Sequence, residues 1–395
     1  MKFNLGVVGT VVLSLVTASP FISPGDLASL QVRDDGQCEW KDHEGGTKNH
    51  NDKDHRTIYV QPGQRIQEAI NTASRGDRIV VEAGTYAEQL TIEKGGIALV
   101  GLGAILVPPN PTIRNNCSDL AGNGTEAGIC VIGSEVQLAP FVIEHQKVLS
   151  VGELVEDVSI TGFQVSNFSG ANIAVVGALN AQVTGNRLID GKQYGFLTAG
   201  SVNTQVTNNT VLSSTKLGFI GICMDNFSGV RVSNNHISVY DIALCVQTSG
   251  ADVQHNDVND NCIGIFVDPS INGAKVHHNH ISSTNPRCRQ LPSDINFGTF
   301  GIILDGAVNS DVRANLIEGQ TKDGLAVGLA IVDDPCSPPE ISLSCSLLRT
   351  KAVASGNVVI QNTLRNNDLD LLVNTNGTGN VIANNKCSTP KELCS

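Results

Sequence analysis

A six-residue pattern, Val-x-x-Asn-x-aliphatic, returns seven times beyond residue 150, with an eighth copy that has a weaker end. It reads VTGNRL, VTNNTV, VSNNHI, VQHNDV, VHHNHI, VRANLI, VIQNTL and VIANNK, with Asn at 186, 209, 235, 256, 279, 315, 362 and 384. The spacings are 23, 26, 21, 23, 36, 47 and 22 residues. A period in the low twenties, carried by β-branched residues with Asn and Gly between them, is the signature of a solenoid in which every repeat stacks on the one before. ITGFQV, from Ile160 to Val165, fits one coil earlier with Phe163 in the Asn slot.

The physics of such a stack is restrictive. Each coil supplies short strands whose inward Val, Ile and Leu lie on those of the neighbouring coil, about 4.8 Å away. Asn tolerates the left-handed bend between strands, and its side-chain amide can bond the next Asn along the file. Leucine-rich repeats have a comparable period but need LxxLxL, and helical repeats need about 33 residues or more with Ala/Leu faces; neither is present. The fold predicted is all-β, a single-stranded right-handed parallel β-helix of about a dozen coils. Upstream, TIYVQPGQRIQEAINTASRGDRIVVEAGTY contains a short helix with Ile66, Ala69, Ile70 and Ala73 on one face. It is expected to cap the open N-terminal end, where backbone groups would otherwise go unpaired. The expected boundaries are a signal peptide at 1–18, a polar leader at 19–56, the β-helix at 57–387 and a tail at 388–395.

Composition narrows the partners. With 38 acidic against 26 basic residues the net charge is -12, the wrong sign for a nucleic-acid binder. Leu5 to Val16 is apolar but too short to span a bilayer, and Val16-Thr17-Ala18 offers a cleavage point, so a secreted protein without a membrane span is expected. Eleven cysteines without a CxxC pair point to disulfide staples, with at least one cysteine left over and the connectivity open. Six glycosylation acceptors begin at Asn116, Asn123, Asn167, Asn208, Asn226 and Asn376.

IQEAINTASRGDRIVVEAGTY followed by LTIEKGGIALVGLG resembles the opening of the pectate-lyase-like β-helix superfamily. Its members include pectate and pectin lyases, polygalacturonases, pectin methylesterases, alginate epimerases and NosD-type repeat proteins. The resemblance covers residues 57–387 and implies the fold; it carries no single activity. The Gly-His-Gly of polygalacturonases is missing, and the pairs Asp34-Asp35 and Asp333-Asp334 stand outside that family's order. The Trp-x-Asp-His and Arg-x-Pro-x-x-Arg segments of pectate lyases are missing too, and the sole Trp is Trp40. Of the epimerase Asp-Pro-His-Glu only Asp268-Pro269 is found.

Registering the coils on the repeat Val brings one column into view, about seven residues upstream. It holds Val176, Ala199, Asp225, Gln247, Asp268, Asp305 and, after an insertion, Asp333. Asp268 and Asp305 fall on adjacent rungs and Asp225 two rungs from Asp268, separations of about 5 and 10 Å that suit paired carboxylates in acid/base chemistry. The alternatives are strand-ending Asp residues that cap turns, or a calcium site, which needs six or more oxygens. Calcium is the one cofactor this column suggests. Lys216, one strand before Asp225, and Tyr194 are candidates to abstract a uronic-acid proton at the same groove. A solvated turn lysine is the plainer reading of Lys216. A glycan on Asn226 would obstruct the groove beside Asp225.

A second constellation follows the repeat Asn: His236, Asp257 and His280, with His255, His277 and His278 beside the bend. Imidazole and carboxylate on adjacent strands are ligands for zinc or copper, although a solvent-facing polar ladder is ordinary on such a fold. The insertions after Asn279 and Asn315 carry Arg287, Arg289, Arg349 and Lys351, cations able to meet the carboxylates of an acidic polymer. The function expected is a secreted, monomeric polysaccharide lyase, hydrolase or epimerase acting on a uronic-acid polymer. The alternative is a non-catalytic β-helix that binds glycan or metal, or a structural cell-surface protein. Aromatics at 4% favour the latter, since sugar subsites use stacking platforms.

Overall fold

The computed structural model describes residues 55–288, 299–336 and 348–394. Three long parallel sheets run its length, of 14, 10 and 10 strands, joined in order around each coil. The main path of the first sheet passes through twelve rungs, from Thr57–Val60 to Val381–Ala383. The chain is a right-handed parallel β-helix.

The repeat sets the register. The motif Val residues stack in one file, Val183 on Val206, Val206 on Val232, Val232 on Val253, Val253 on Val276, Val276 on Val312 and Val312 on Val359. The aliphatic residues after each Asn form a parallel file in the second sheet, among them Leu188, Val211, Ile237, Val258, Ile281 and Ile317. All are buried, and together they form one continuous core.

Between these two files runs a third, of asparagine. Oδ1 of each Asn accepts from both the backbone N–H and the Nδ2 of the Asn one coil earlier; Asn256, for example, receives both bonds from Asn235 at 3.0 Å. Its own Nδ2 donates to Val232 O at 2.9 Å and to Asn279 Oδ1 at 3.0 Å. Every buried amide of this file is thus satisfied by its neighbours, which is the condition for burying it at all. Phe163 does occupy the slot at the head of the file, its N–H donating to Asn186 Oδ1. At the far end the file continues through Asn385, not Asn384, because Val359 pairs with Ile382 and so moves the register by one residue.

The corner between the second and third sheets needs the absence of a side chain. A Cβ on Gly221, Gly264 or Gly301 would lie 2.5–2.6 Å from a carbonyl oxygen of the next coil and from an Ile methyl of the second sheet. Ile66, Ala69 and Ile70 of the helix Ile66–Thr72 face the core as expected, and Glu88 accepts from the N–H groups of Ile66 and Gln67 at its start.

The outer face of the third sheet is unusual in being apolar, with Ala174, Leu197, Cys223, Cys245, Phe266 and Ile303 side by side. An excursion between coils covers it. There Gln137–Leu138 pairs antiparallel with Val148–Ser150, and Ile143 and Val148 pack on the apolar face. Disulfides join Cys117 to Cys130, Cys223 to Cys245, Cys262 to Cys288 and Cys387 to Cys394. Among the described residues no helix is long and apolar enough to cross a membrane. The expected signal peptide, and Asp34, Asp35 and Trp40, lie outside them.

Candidate active site

The expected column is real, with one correction. Ala199 pairs with Asp225, Met224 with Val246, Val246 with Val267, and Val267 with Leu304, which puts Asp225, Gln247, Asp268 and Asp305 on four successive rungs. They end the strands of the third sheet on its outer face. The next rung is Val332, opposite Asp305, so Asp333 stands one residue beyond the column. Asp333 instead accepts from the N–H groups of Ala354 and Asn376 and from the hydroxyl of Thr375. Burial raises its carboxyl, but those donors more than offset this and leave it below the usual range. Its oxygens are spent on holding the last coils together, which is not what a substrate-binding group does.

Three side chains of the covering excursion, none of them singled out by the sequence pattern, complete the site. His145 Nε2 lies 3.0 Å from Asp225 Oδ2, and its Nδ1 lies 3.0 Å from the Tyr194 hydroxyl. Lys147 Nζ is 3.2 Å from the same Asp225 oxygen and donates to Gln247 Oε1. Gln247 Nε2 in turn donates to Glu144 Oε2 at 2.6 Å and to Asp268 Oδ2 at 2.8 Å. Oδ1 of Asp268 has no hydrogen-bond partner among the described residues.

This network separates the carboxyl groups by charge. Burial pushes Asp225 up, but the hydrogen bond from His145 and the charge of Lys147 outweigh it and hold the group below its usual value. Asp268, 3% exposed, is raised well above the carboxylate range by burial and then by the Glu144 carboxylate, which outweigh the charge of Lys147 and the hydrogen bond from Gln247. Asp305 is pushed up to about 7, by burial first and then by Asp334 and Asp333. An ionised buried oxygen without a donor is costly, so the bare Oδ1 of Asp268 agrees with a neutral group. One file therefore holds a carboxyl kept low and, two and three rungs away, two carboxyls pushed up.

Other expected residues fall elsewhere. Lys216 precedes the strand Gly218–Asp225, whose eight residues span about 23 Å, so it stands at the far end of that strand from Asp225, the wrong end to share a groove. Lys147 is the lysine that meets Asp225. Tyr194 is not at an open edge: it is fully buried, and burial, then Glu144, raises its phenol well above the usual range. Arg287 is exposed beside Cys288, which the disulfide to Cys262 anchors before the strand Ile263–Val267, whereas Asp268 follows that strand. Arg289 lies outside the described residues. Asn226 is buried and its amide donates to Thr204 Oγ1 at 3.0 Å, which leaves no room for a glycan in the folded chain; the other five acceptor asparagines are exposed.

His236, Asp257 and His280 do stack on one ladder. Asp257 sits between the imidazoles, with His236 Nδ1 at 3.0 Å from one oxygen and His280 Nδ1 at 3.3 Å from the other. The carboxylate is used as a bridge between two rings on alternate rungs, and the three do not converge on one point. Among the described residues, the one group of three side chains whose possible ligand atoms already lie together is Glu144, Cys223 and Cys245, and there the two sulfurs are joined to each other.

A family model described as "Periplasmic copper-binding protein (NosD)" matches residues 142–290, under half of the chain. No curated protein matches. Among solved structures, the DFA-IIIase of Arthrobacter chlorophenolicus A6 without its lid is similar at 12% identity over 86% of this chain and 96% of that one, TM-score 0.50. A Family 28 exopolygalacturonase of Yersinia enterocolitica aligns at 13% identity over 82% and 78%, TM-score 0.45. An alginate lyase of Paenibacillus sp. str. FPU-7 aligns at 14% over 82% and 99%, TM-score 0.41. Identities this low speak to fold alone.

Proposed function

With the pectate-lyase-like parallel β-helix as scaffold, we propose that this protein is an exported carbohydrate-active enzyme of the hydrolase type, acting on a uronic-acid polysaccharide. The observation that carries the proposal is the opposed protonation within one file of carboxyl groups: Asp225 held low, Asp268 and Asp305 held high. Titratable pairs driven apart in this way mark acid and base roles. Asp268 and Asp305, on adjacent rungs, share the duty of the general acid. Asp225, about 10 Å from Asp268, is the ionised partner, at the long end of the separation that leaves room for an attacking water.

The substrate class follows from what surrounds the acids. Glu144 brings a carboxylate against Gln247 Nε2 and near Lys147. A sugar carboxylate displacing it would inherit that donor and that cation. Arg349 and Lys351 are exposed on the segment that pairs with Asp334 through Ala352, at the Asp305 end of the file. They extend the anion-binding rim along the polymer axis. Lys147, the lysine at the file, is bonded to Asp225 and Gln247, and a lysine engaged in this way is a poor proton abstractor, which weighs against β-elimination.

Purified protein incubated with pectic, alginate and glucuronan polymers is expected to release reducing ends without the ultraviolet absorbance of unsaturated sugars. Asp225→Asn and Asp268→Asn are expected to lower that rate by 100-fold or more, about 2.7 kcal/mol of barrier. Unsaturated product would replace hydrolysis with elimination. A second reading rests on the 3% exposure of Asp268: the network then only pins the covering excursion. In that case no polymer is cleaved, glycan binding survives Asp268→Asn, and thermal stability alone changes.

A further inference from the structure

Five of the nine histidines crowd one corner of three consecutive coils, on the far side of the asparagine file from the core: His236, His255, His277, His278 and His280. His255 and His278 occupy the left-handed bend residue just before a file Asn, with φ of 53° and 57°. That backbone state turns their rings outward while the Asn behind them turns in. His277 ends the strand Lys275–His277 beside them.

We infer that His277 and His278, with His255 beside them, form a binding site for a divalent transition-metal ion of the zinc type. The inference is independent of the carboxylate site. The Nδ1 atoms of His277 and His278 are 3.1 Å apart, in a hydrogen bond between the rings that a metal ion would replace. Two metal–nitrogen bonds of about 2.0–2.1 Å that meet at about 100° subtend the same distance. The other nitrogen of His277, Nε2, lies 2.9 Å from Asp252 Oδ1. An ionised carboxylate can only accept, so that nitrogen holds the proton and Nδ1 keeps its lone pair. This carboxylate–imidazole relay is the arrangement that orients metal-bound histidines. Asp252 is itself steadied by Arg231, 3.8 Å away.

A third ring stands beside the pair. His255 stacks on His278 with centroids 5.0 Å apart and 23° between planes, and its centroid is 6.4 Å from that of His277. Both His255 and His278 are exposed, so water completes a four-coordinate shell. His280 is excluded from the site because its two nitrogens are taken by Asp257 and Glu318.

The test is zinc titration of the full chain, free of any affinity tag, by calorimetry at neutral pH. One equivalent of zinc is expected to bind. His277→Ala and His278→Ala each weaken it at least tenfold, Asp252→Asn by about tenfold, and His280→Ala leaves it unchanged. Cobalt(II) in place of zinc gives a tetrahedral visible spectrum that His277→Gln removes. These side chains lie outside the core, so an unchanged melting curve in chelator confirms that each variant is folded. Zinc binding that survives the His277→Ala/His278→Ala double change, or that is lost in His280→Ala alone, overturns the inference.

Discussion

Replacing Asp305 with Asn tests whether the carboxylate file is a site held against its own stability or an ordinary set of turn caps. Asp305 is raised from 3.8 to about 7, chiefly by burial and then by Asp334 and Asp333. In the unfolded chain it ionises near 3.8, so between the two values the native state holds a proton that the unfolded state has released. Stability therefore falls as pH rises through that interval and levels off above about 7. Some 3 units at about 1.4 kcal/mol each set an upper bound of about 4 kcal/mol on the loss. Asn cannot ionise, so the variant escapes the loss. Urea unfolding of both proteins at about pH 4 and about pH 8 isolates the term, because groups common to both cancel in the double difference. Asp305→Asn is expected to match the parent at the lower pH and to exceed it by up to about 4 kcal/mol at the higher, while losing polymer cleavage. A stability difference that is the same at both pH values would refute the reasoning, and a variant less stable at both would make Asp305 a structural cap.

Asn256→Ala removes both bonds from Asn235 and leaves the Asn235 N–H and the Val232 carbonyl buried without partners. At about 1–3 kcal/mol for each of the two orphaned groups the cost is about 2–6 kcal/mol, read as a drop in the urea midpoint; a cost under about 1 kcal/mol would mean the file is not what holds the coils in register. His145→Ala deletes the bond to Asp225 Oδ2 and to the Tyr194 hydroxyl. Asp225 at present stabilises the fold above its unfolded pKa and loses that contribution on acidification; without His145 the contribution shrinks, so the variant is less stable at neutral pH and loses less stability as the pH falls. An unchanged loss of stability on acidification would show that Lys147 alone holds Asp225 low.

What could be read from the sequence was what repeats. The Val and Asn files, Phe163 at the head of the latter, and the rungs of Asp225, Gln247, Asp268 and Asp305 all follow from one period, because stacking forces equivalent residues into one file. The reading failed where period gives no information. Asp333 was placed one residue off because the 47-residue coil hides how many residues its insertion absorbs. Asn384 was chosen over Asn385 because two adjacent asparagines fit one slot. Lys216 looked close to Asp225 only because nearness in sequence is distance along an eight-residue strand. Glu144, His145 and Lys147 come from an excursion that belongs to no repeat, and His145 meets Asp225 across 80 residues. The one local hint was the polar run Glu144-His145-Gln146-Lys147 set among apolar residues, too short to reveal which face it would cover.

Because each carboxyl of the file is contributed by a whole turn of the solenoid, the spacing between any two of them is quantised in steps of about 4.8 Å. A point mutation can change which acid stands on a rung but can hardly tune the gap continuously. Loss or duplication of one coil would carry the pair in a single event from a separation suited to direct attack by a carboxylate to one that admits a water molecule. In such a scaffold stereochemistry is a matter of counting, and the length of the repeat array is itself a catalytic parameter.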